Sequence, residues 1–353
     1  MTLREGVKRP SVRLRDVAER ARCSAATVSR VLNAPETVNR EARLRVEAAV
    51  RDLGYTRNGA ARALRSRRSQ IVGLILPTLK QTIYADFIGA VQDALEERDY
   101  ALIVASSDYS PERELFQARL MAERGIDGLM LVGLMHRPDL HALLDAQSIP
   151  YVTTYTFRQE ADHPVMGFDN VASMASIVDH LVELGHRDIA VLAGRRRDSD
   201  RAEDRIRGVA AALARHGLDF PDDHTVEETL SIPGGREGLR RLLAAGPLPT
   251  ALVCASDVLA YGALVECQRL GIAVPADLSV VGCDDLPASK HILPALTTLA
   301  IPAEEMGRRA AAYLLSCFAG SPHAPRMCFD TRLMVRQTTA PPSRAPRPGA
   351  TAP

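Results

Sequence analysis

The sequence predicts an all-α unit at the N-terminus followed by a larger α/β body, doubly wound and built of two similar subdomains. Three observations carry this. Apolar residues in the first 54 positions recur at helical spacing. From Gln70 onward short apolar runs alternate with amphipathic segments, and the alternation restarts near residue 172. Charge is divided as well. Residues 1–68 hold 17 Lys+Arg against 7 Asp+Glu, while the remainder hold 27 against 36. A basic head on an acidic body is the arrangement of a polyanion-binding head. A chain of 353 residues has room for two or three domains.

In the head, Leu14, Val17, Ala18 and Ala21 stand at i, i+3, i+4 and i+7 and place one apolar stripe on a short first helix. Arg22-Cys23 interrupts it. Ser24 is a good N-cap for a second helix over residues 25–32, whose apolar face is Val28, Val31 and Leu32. Asn39 caps a third helix with Val46, Ala49, Val50 and Leu53 on its core face, and Gly54 ends it. Two short helices joined by a tight turn, with a third beneath, make a helix-turn-helix. Ala25, Ala26, Ser29, Arg30 and Asn33 remain on the free face of the second helix. Small alanines let such a helix enter a major groove about 12 Å wide, and an arginine can fork onto a guanine edge. The residues alone also allow a basic three-helix unit that binds another partner.

In the body, strands are predicted at 71–76, 101–105, 128–132 and 151–154, with helices at 87–98, 112–124 and 140–147 between them. The second set has strands at 189–193, 251–254 and 278–282 and helices at 172–184, 202–215, 235–245 and 258–270. Such alternation gives parallel sheets with helices on both faces, and a ligand site in the cleft at the carboxyl ends of the strands.

Several classes are excluded. No stretch of about 18 uncharged apolar residues occurs, so no membrane span is expected. The first ten residues lead into no apolar run, so no secretory signal is expected. Six cysteines without a CxxC pair point to a reduced, cytoplasmic protein with no disulfide or zinc framework. There is no GxGxxG, Walker loop, HExxH or GxSxG, and the nine histidines show no ligand spacing. Neither catalysis nor a cofactor or metal is expected. Residues 339–353, rich in proline and alanine, are predicted to be disordered.

Residues 12–34 resemble the N-terminal signature of the LacI/GalR family of bacterial transcription repressors. The matching runs are Leu14-Arg15-Asp16-Val17-Ala18 and Ser24-Ala25-Ala26-Thr27-Val28-Ser29-Arg30-Val31-Leu32-Asn33. Further likeness lies in Leu184-Gly185-His186-Arg187-Asp188, in Ser256-Asp257-Val258-Leu259-Ala260-Tyr261-Gly262, in residues 274–285 and in residues 294–298, so that it spans nearly the whole chain. The resemblance implies a DNA-binding domain at 1–56, a hinge helix or linker at 57–68, and a periplasmic-binding-protein-like effector and dimerisation domain of two subdomains at 69–338. It implies DNA contacts from Leu14, Ser24, Ala25, Ala26, Thr27, Ser29, Arg30 and Asn33. At the hinge it implies contacts from Asn58, Ala61 and Leu64, with Leu64 wedging into the minor groove. Arg22 stands where the family has glycine and Arg57 where it has proline. If the turn needs a positive φ, Arg22 costs about 1 kcal/mol.

Effector contacts carry over to Thr78 and Tyr84 in the first-strand loop, to Tyr155, to Arg205 ahead of Gly208, and to Asp257 and Asp284. Each has a plainer reading. Asp284 and Asp257 could be helix caps, and Arg205 a surface charge. Tyr155 and Cys283 depart from the family's usual aspartate and aromatic. Gly167-Phe168-Asp169-Asn170 and Glu266-Cys267-Gln268-Arg269-Leu270 are similar to gluconate-type regulators of the family, so a sugar or sugar acid is the expected effector. The expected partners are thus a near-palindromic double-stranded DNA operator, a small-molecule effector and a second copy of the chain. No leucine heptad at the C-terminus supports a tetramer, so a dimer is expected. Two alternatives stay open: a carbohydrate-binding module with no role in transcription, and a DNA-binding regulator whose cleft is vestigial.

Overall fold

The computed structural model describes residues 12–56, 68–321 and 326–343. The chain separates into two compact units, one up to Ser69 and one from Gln70.

The head holds three helices, α1 (Leu14–Arg20), α2 (Ala25–Asn33) and α3 (Arg40–Leu53). Their ends lie where the capping chemistry places them. The Ser24 hydroxyl accepts from the Thr27 amide at 3.1 Å and Asn39 Oδ1 from the Ala42 amide at 2.8 Å, each meeting an orphan donor of a first turn. Gly54 closes α3 at φ 62°. Val17, Ala18, Ala21, Val28, Val31, Val46 and Ala49 form one buried cluster. An Arg20–Asp52 ion pair at 2.7 Å joins α1 to α3 on the surface. Arg22 does take the left-handed conformation, at φ 52°. The turn therefore needs the geometry that glycine adopts without cost.

The body contains two six-stranded sheets. In the first, β1 (Ile71–Leu76), β2 (Ala101–Ser106), β3 (Gly128–Val132), β4 (Tyr151–Thr154) and β5 (Val165–Gly167) are parallel in the order 5-4-3-1-2. Helix α4 (Ala85–Glu96) covers one face; α5 (Pro111–Glu123) and α6 (Pro138–Ala146) cover the other. In the second, β6 (Ile189–Ala193), β7 (Thr225–Glu227), β8 (Ala251–Cys254), β9 (Ser279–Asp284) and β10 (Thr297–Ala300) run parallel in the order 10-9-8-6-7. Helices α7 (Asn170–Glu183) and α8 (Asp200–Arg215) pack together on one face, and α9 (Ile232–Ala245) and α10 (Asp257–Leu270) on the other.

The subdomains are not consecutive pieces of chain. After β10 the chain returns to the first subdomain, where α11 (Ala303–Phe318) packs on α4 and β11 (Arg326–Cys328) joins β5. It then crosses again to place β12 (Arg332–Met334) antiparallel to β10. With the β5–α7 connection, the chain passes between the sheets three times. The expected disordered tail also begins too early: Thr339 lies 3.3 Å from His180 Nε2, and the Ala340 carbonyl is bonded to His186 at 2.9 Å and to Ser279 at 3.1 Å. The hinge positions Asn58, Ala61 and Leu64, and the tail beyond 343, lie outside the described residues. Among the described residues no helix is long and apolar enough to cross a membrane.

Arg22→Gly relieves the left-handed conformation and is expected to stabilise the head by about 1 kcal/mol. Thermal unfolding of the full chain, followed by amide exchange in α1 and α2, measures this. No gain in protection would show that Arg22 bears no strain.

Candidate functional site

On the head, α2 is anchored by Val28 and Val31, which leaves Ser24, Ala25, Ala26, Arg30 and Asn33 exposed. Thr27 and Ser29 are half-buried. Ser24 and Thr27 hydroxyls lie 2.9 Å apart and share the cap. Asn33 turns its amide back on the Ser29 carbonyl at 2.7 Å. The outward surface therefore carries two methyl groups followed by an exposed guanidinium. Leu14 is half-buried and rests against the head's apolar core, where it completes the α1 stripe.

In the body, loops from the carboxyl ends of β1, β4, β6, β8 and β9 meet in one cleft. It is lined by aromatic groups on one side and charged groups on the other.

Tyr155 ends β4 at φ 64°. Its ring stands edge-on to Tyr84 and Phe87, with centroids at 5.1 and 5.3 Å. Its hydroxyl donates to the Ile83 carbonyl at 3.1 Å. Burial pushes the phenols of Tyr84 and Tyr155 upward, so both stay neutral donors.

Arg205 lies one turn beyond Arg201 on α8. Its Nε donates to Asn170 Oδ1 at 3.0 Å, its Nη1 donates to the Ala255 carbonyl, and its guanidinium sits 6.0 Å over the Phe168 ring. Asn170 also donates to the Tyr155 carbonyl at 3.1 Å. Asp284, at φ 136°, accepts from the Ser256 hydroxyl at 2.9 Å through Oδ2. Its Oδ1 is 3.8 Å from Arg205 Nη1, buried and without a hydrogen-bond partner. Burial lifts the Asp284 carboxyl to about 7, with Arg205 opposing the shift. An unsatisfied carboxylate oxygen at the wall of a cleft is an acceptor available to a ligand donor.

Tyr84, Tyr155, Arg205 and Asp284 thus come together as expected. Two candidates do not. Asp257 is completely buried and does not line the cleft. It accepts from Thr298 and Ser289 hydroxyls and from the Leu286 amide at 2.8 Å, and so ties the loop after β9 to α10. The cap of α10 is Ser256. Thr78 is likewise buried; its hydroxyl accepts from the Lys80 amide at 3.1 Å and shapes the loop, and Gln81, Ile83 and Tyr84 do the lining. Gln81 lies within the loop 78–84 expected to line the cleft, whereas Arg201, Tyr109 and Ser256 line it without having been singled out. For Arg201 a signal existed, since it precedes Arg205 by four residues on one helix face.

A second chamber adjoins the first, sharing Tyr109 and Arg201, with Glu114, Met135 and Asp200 on its walls. Here the subdomains touch. Asp200 bonds Arg201 Nη1 at 3.0 Å and accepts from the Leu134 amide at 3.1 Å. Gly133, at φ 82°, lies against the Arg201 guanidinium; a methyl group there would come within 1.8 Å of Nη1.

Residues 13–58 match the family model described as bacterial regulatory proteins, lacI family, and residues 178–339 that of a periplasmic binding protein-like domain. The repressor CytR of Escherichia coli K12 is 30% identical over 330 residues, covering 92% of this chain and 96% of its own. The lac repressor dimer bound to operator and the anti-inducer ONPF superposes with a TM-score of 0.83 at 27% identity, over 94% of this chain and 100% of that one. The regulator CelR in complex with cellobiose gives 0.70 at 30% identity, over 94% and 100%.

Asp257→Asn turns an amide donor toward three donors and is expected to cost about 2–4 kcal/mol of stability. Urea denaturation should show that loss, while the folded fraction keeps its ligand affinity in calorimetry. The opposite split would return Asp257 to the ligand contacts.

Proposed function

The chain belongs to the lacI family of bacterial regulatory proteins and is a DNA-binding transcriptional regulator, and from that membership we propose a repressor controlled by a carbohydrate or sugar-acid effector. The observation that carries the effector class is Asp284: a buried carboxylate with one free oxygen, beside two buried arginines and under tyrosine rings. Carboxylates accept from sugar hydroxyls, guanidinium forks bind paired hydroxyls or a carboxylate, and aromatic faces cover the apolar side of a sugar ring. Cellobiose in the related CelR accords with this chemistry.

The head presents α2 to a major groove. Ala25 and Ala26 meet thymine methyls or read DNA shape, and Arg30 takes a guanine edge. Two copies engage a near-palindromic operator, each with a half-site, and Leu64 of each hinge enters the minor groove at the centre. The chain acts in the cytoplasm as a dimer. The deciding experiment is a thermal-shift screen of the full chain against sugars, sugar acids, sugar phosphates and nucleobases. Ligand at about 100 times its dissociation constant adds about 2.7 kcal/mol. A response to nucleobases alone would overturn the carbohydrate reading.

Two predictions follow from the roles assigned. Arg30→Ala should cost about 1–3 kcal/mol at one base pair and relax specificity there in operator selection; a uniform loss across sequences would make Arg30 a phosphate contact. With its carboxyl lifted to about 7 in the free protein, Asp284 becomes the stronger acceptor for hydroxyls once it has lost its proton. Affinity for a neutral sugar should therefore rise with pH up to and through 7, by at most about tenfold per pH unit, and level off above it. Calorimetry from pH 5.5 to 8.5 should show this slope, and Asp284→Asn should remove it.

A further inference from the structure

Three histidines meet in the first subdomain, away from the cleft lining. His136 follows β3, His141 lies on the first turn of α6, and His163 precedes β5. Ring centroids are 5.5 Å apart for His136 and His141 and 5.1 Å apart for His141 and His163. His141 also stacks on Tyr151 at 5.2 Å, with 16° between the planes. Every one of the three rings keeps its Nε2 buried and without a hydrogen-bond partner. His136 Nδ1 is 2.7 Å from Glu114 Oε2, and His163 Nδ1 is 3.6 Å from Asp162 Oδ1. Among the described residues, no such group is arranged to hold a metal ion.

The cluster is joined to the cleft by four consecutive residues. Gly133 lies against Arg201 and the Leu134 amide donates to Asp200, both residues of the other subdomain. Met135 lines the second chamber together with Glu114, and His136 is held by that same Glu114. A displacement of the His136 ring is thereby coupled, through residues 133–136, to one of the contacts between the subdomains.

We propose that the His136–His141–His163 cluster is a proton-operated latch, in which protonation of His141 or His163 drives the rings apart, shifts residues 133–136 and releases Leu134 from Asp200. A positive charge cannot enter a set of touching, half-desolvated imidazoles without moving them toward water. The groups that face the rings are Glu114 from α5, Asp145 from α6, Asp162 from the loop before β5 and Tyr151 from β4. Glu114 is already engaged by His136. Asp145 and Asp162 favour the protonated forms of His141, and Asp162 that of His163. Burial, assisted by the neighbouring histidines, outweighs them and holds His141 and His163 below the ordinary value of 6.5.

The direction of the effect follows. In the latched state both rings resist protons that an opened cluster accepts near 6.5. The latched state is therefore fully favoured above that pH and loses ground as pH falls below it, by up to about tenfold per pH unit for each histidine.

The test is the protection factor of the Leu134 amide, its exchange rate divided into the unstructured rate at the same pH. It should fall about tenfold or more between pH 7.5 and 5.5, while amides within β3 keep theirs. In His141→Gln/His163→Gln the fall should shrink to less than about threefold. A constant protection factor in the wild type, or an equal fall in the double variant, overturns the latch. Should the variant not fold, imidazole titration of the wild type by NMR decides: both histidines should titrate below 6.5 in step with Leu134 exchange, and titration of both at or above 6.5 overturns it.

Discussion

A guanidinium cannot be left unpaired in a protein interior, and the buried Arg205 organises the cleft through the partners it requires. Its Nε takes Asn170, the first residue of α7 after the chain has crossed from the first sheet. Asn170 then holds the carbonyl of Tyr155 at the end of β4. Nη1 takes the carbonyl of Ala255 beyond β8 and approaches Asp284 at the end of β9. One cation thus fixes the ends of strands from both sheets. The same demand explains the uneven state of Asp284. One oxygen is satisfied by Ser256, while the other faces the cation at a distance too long for a hydrogen bond. The site is held together by its charge, and one acceptor is left over.

Local chemistry made most of the fold legible. Ser24, Asn39 and Gly54 mark helix ends because their side chains, or the lack of one, complete the backbone bonding there, and sequence neighbours suffice for that. The strands β1, β3, β4, β6 and β8 stand where the apolar runs place them, since both their faces are covered by helices. Strands β5, β7, β11 and β12 have three residues each, too few for any periodicity to register. Helix α11 carries a helical pattern, but its packing on α4, more than 200 residues earlier, has no local signal.

Asp257 and Asp284 show the same limit within the site. Both follow apolar runs at the carboxyl ends of strands, and both are aspartates in family-like motifs. Their depths decide their roles. Asp257 is surrounded by donors from positions 286, 289 and 298, and its complete burial behind the cleft wall keeps it from a ligand. Asp284 has one donor and one oxygen without a hydrogen-bond partner at the cleft wall. The difference rests on contacts 28 to 41 residues away in sequence, which only the folded sheet assembles. Arg201 was missed for a related reason: a basic residue on an amphipathic helix reads as solvent-facing until Gly133 and Asp200 enclose it.

A cleft that signals must cost something to open, because a ligand with equal affinity for both states shifts nothing. Here the closure contact is made by the protein itself. Asp200 spans the boundary, bonded to Arg201 on its own helix and to the Leu134 amide across the cleft. Arg201 belongs to both chambers, so an effector that engages it also bears on Asp200 and on the loop that Asp200 holds. A small rearrangement of one guanidinium is thereby tied to a contact between whole subdomains. Gly133 is what permits this, since any side chain at that position would lie within the space of the arginine. The ligand's leverage on the regulator then depends on how its contacts with Arg201 and Asp284 differ between the latched and opened arrangements, rather than on its total affinity.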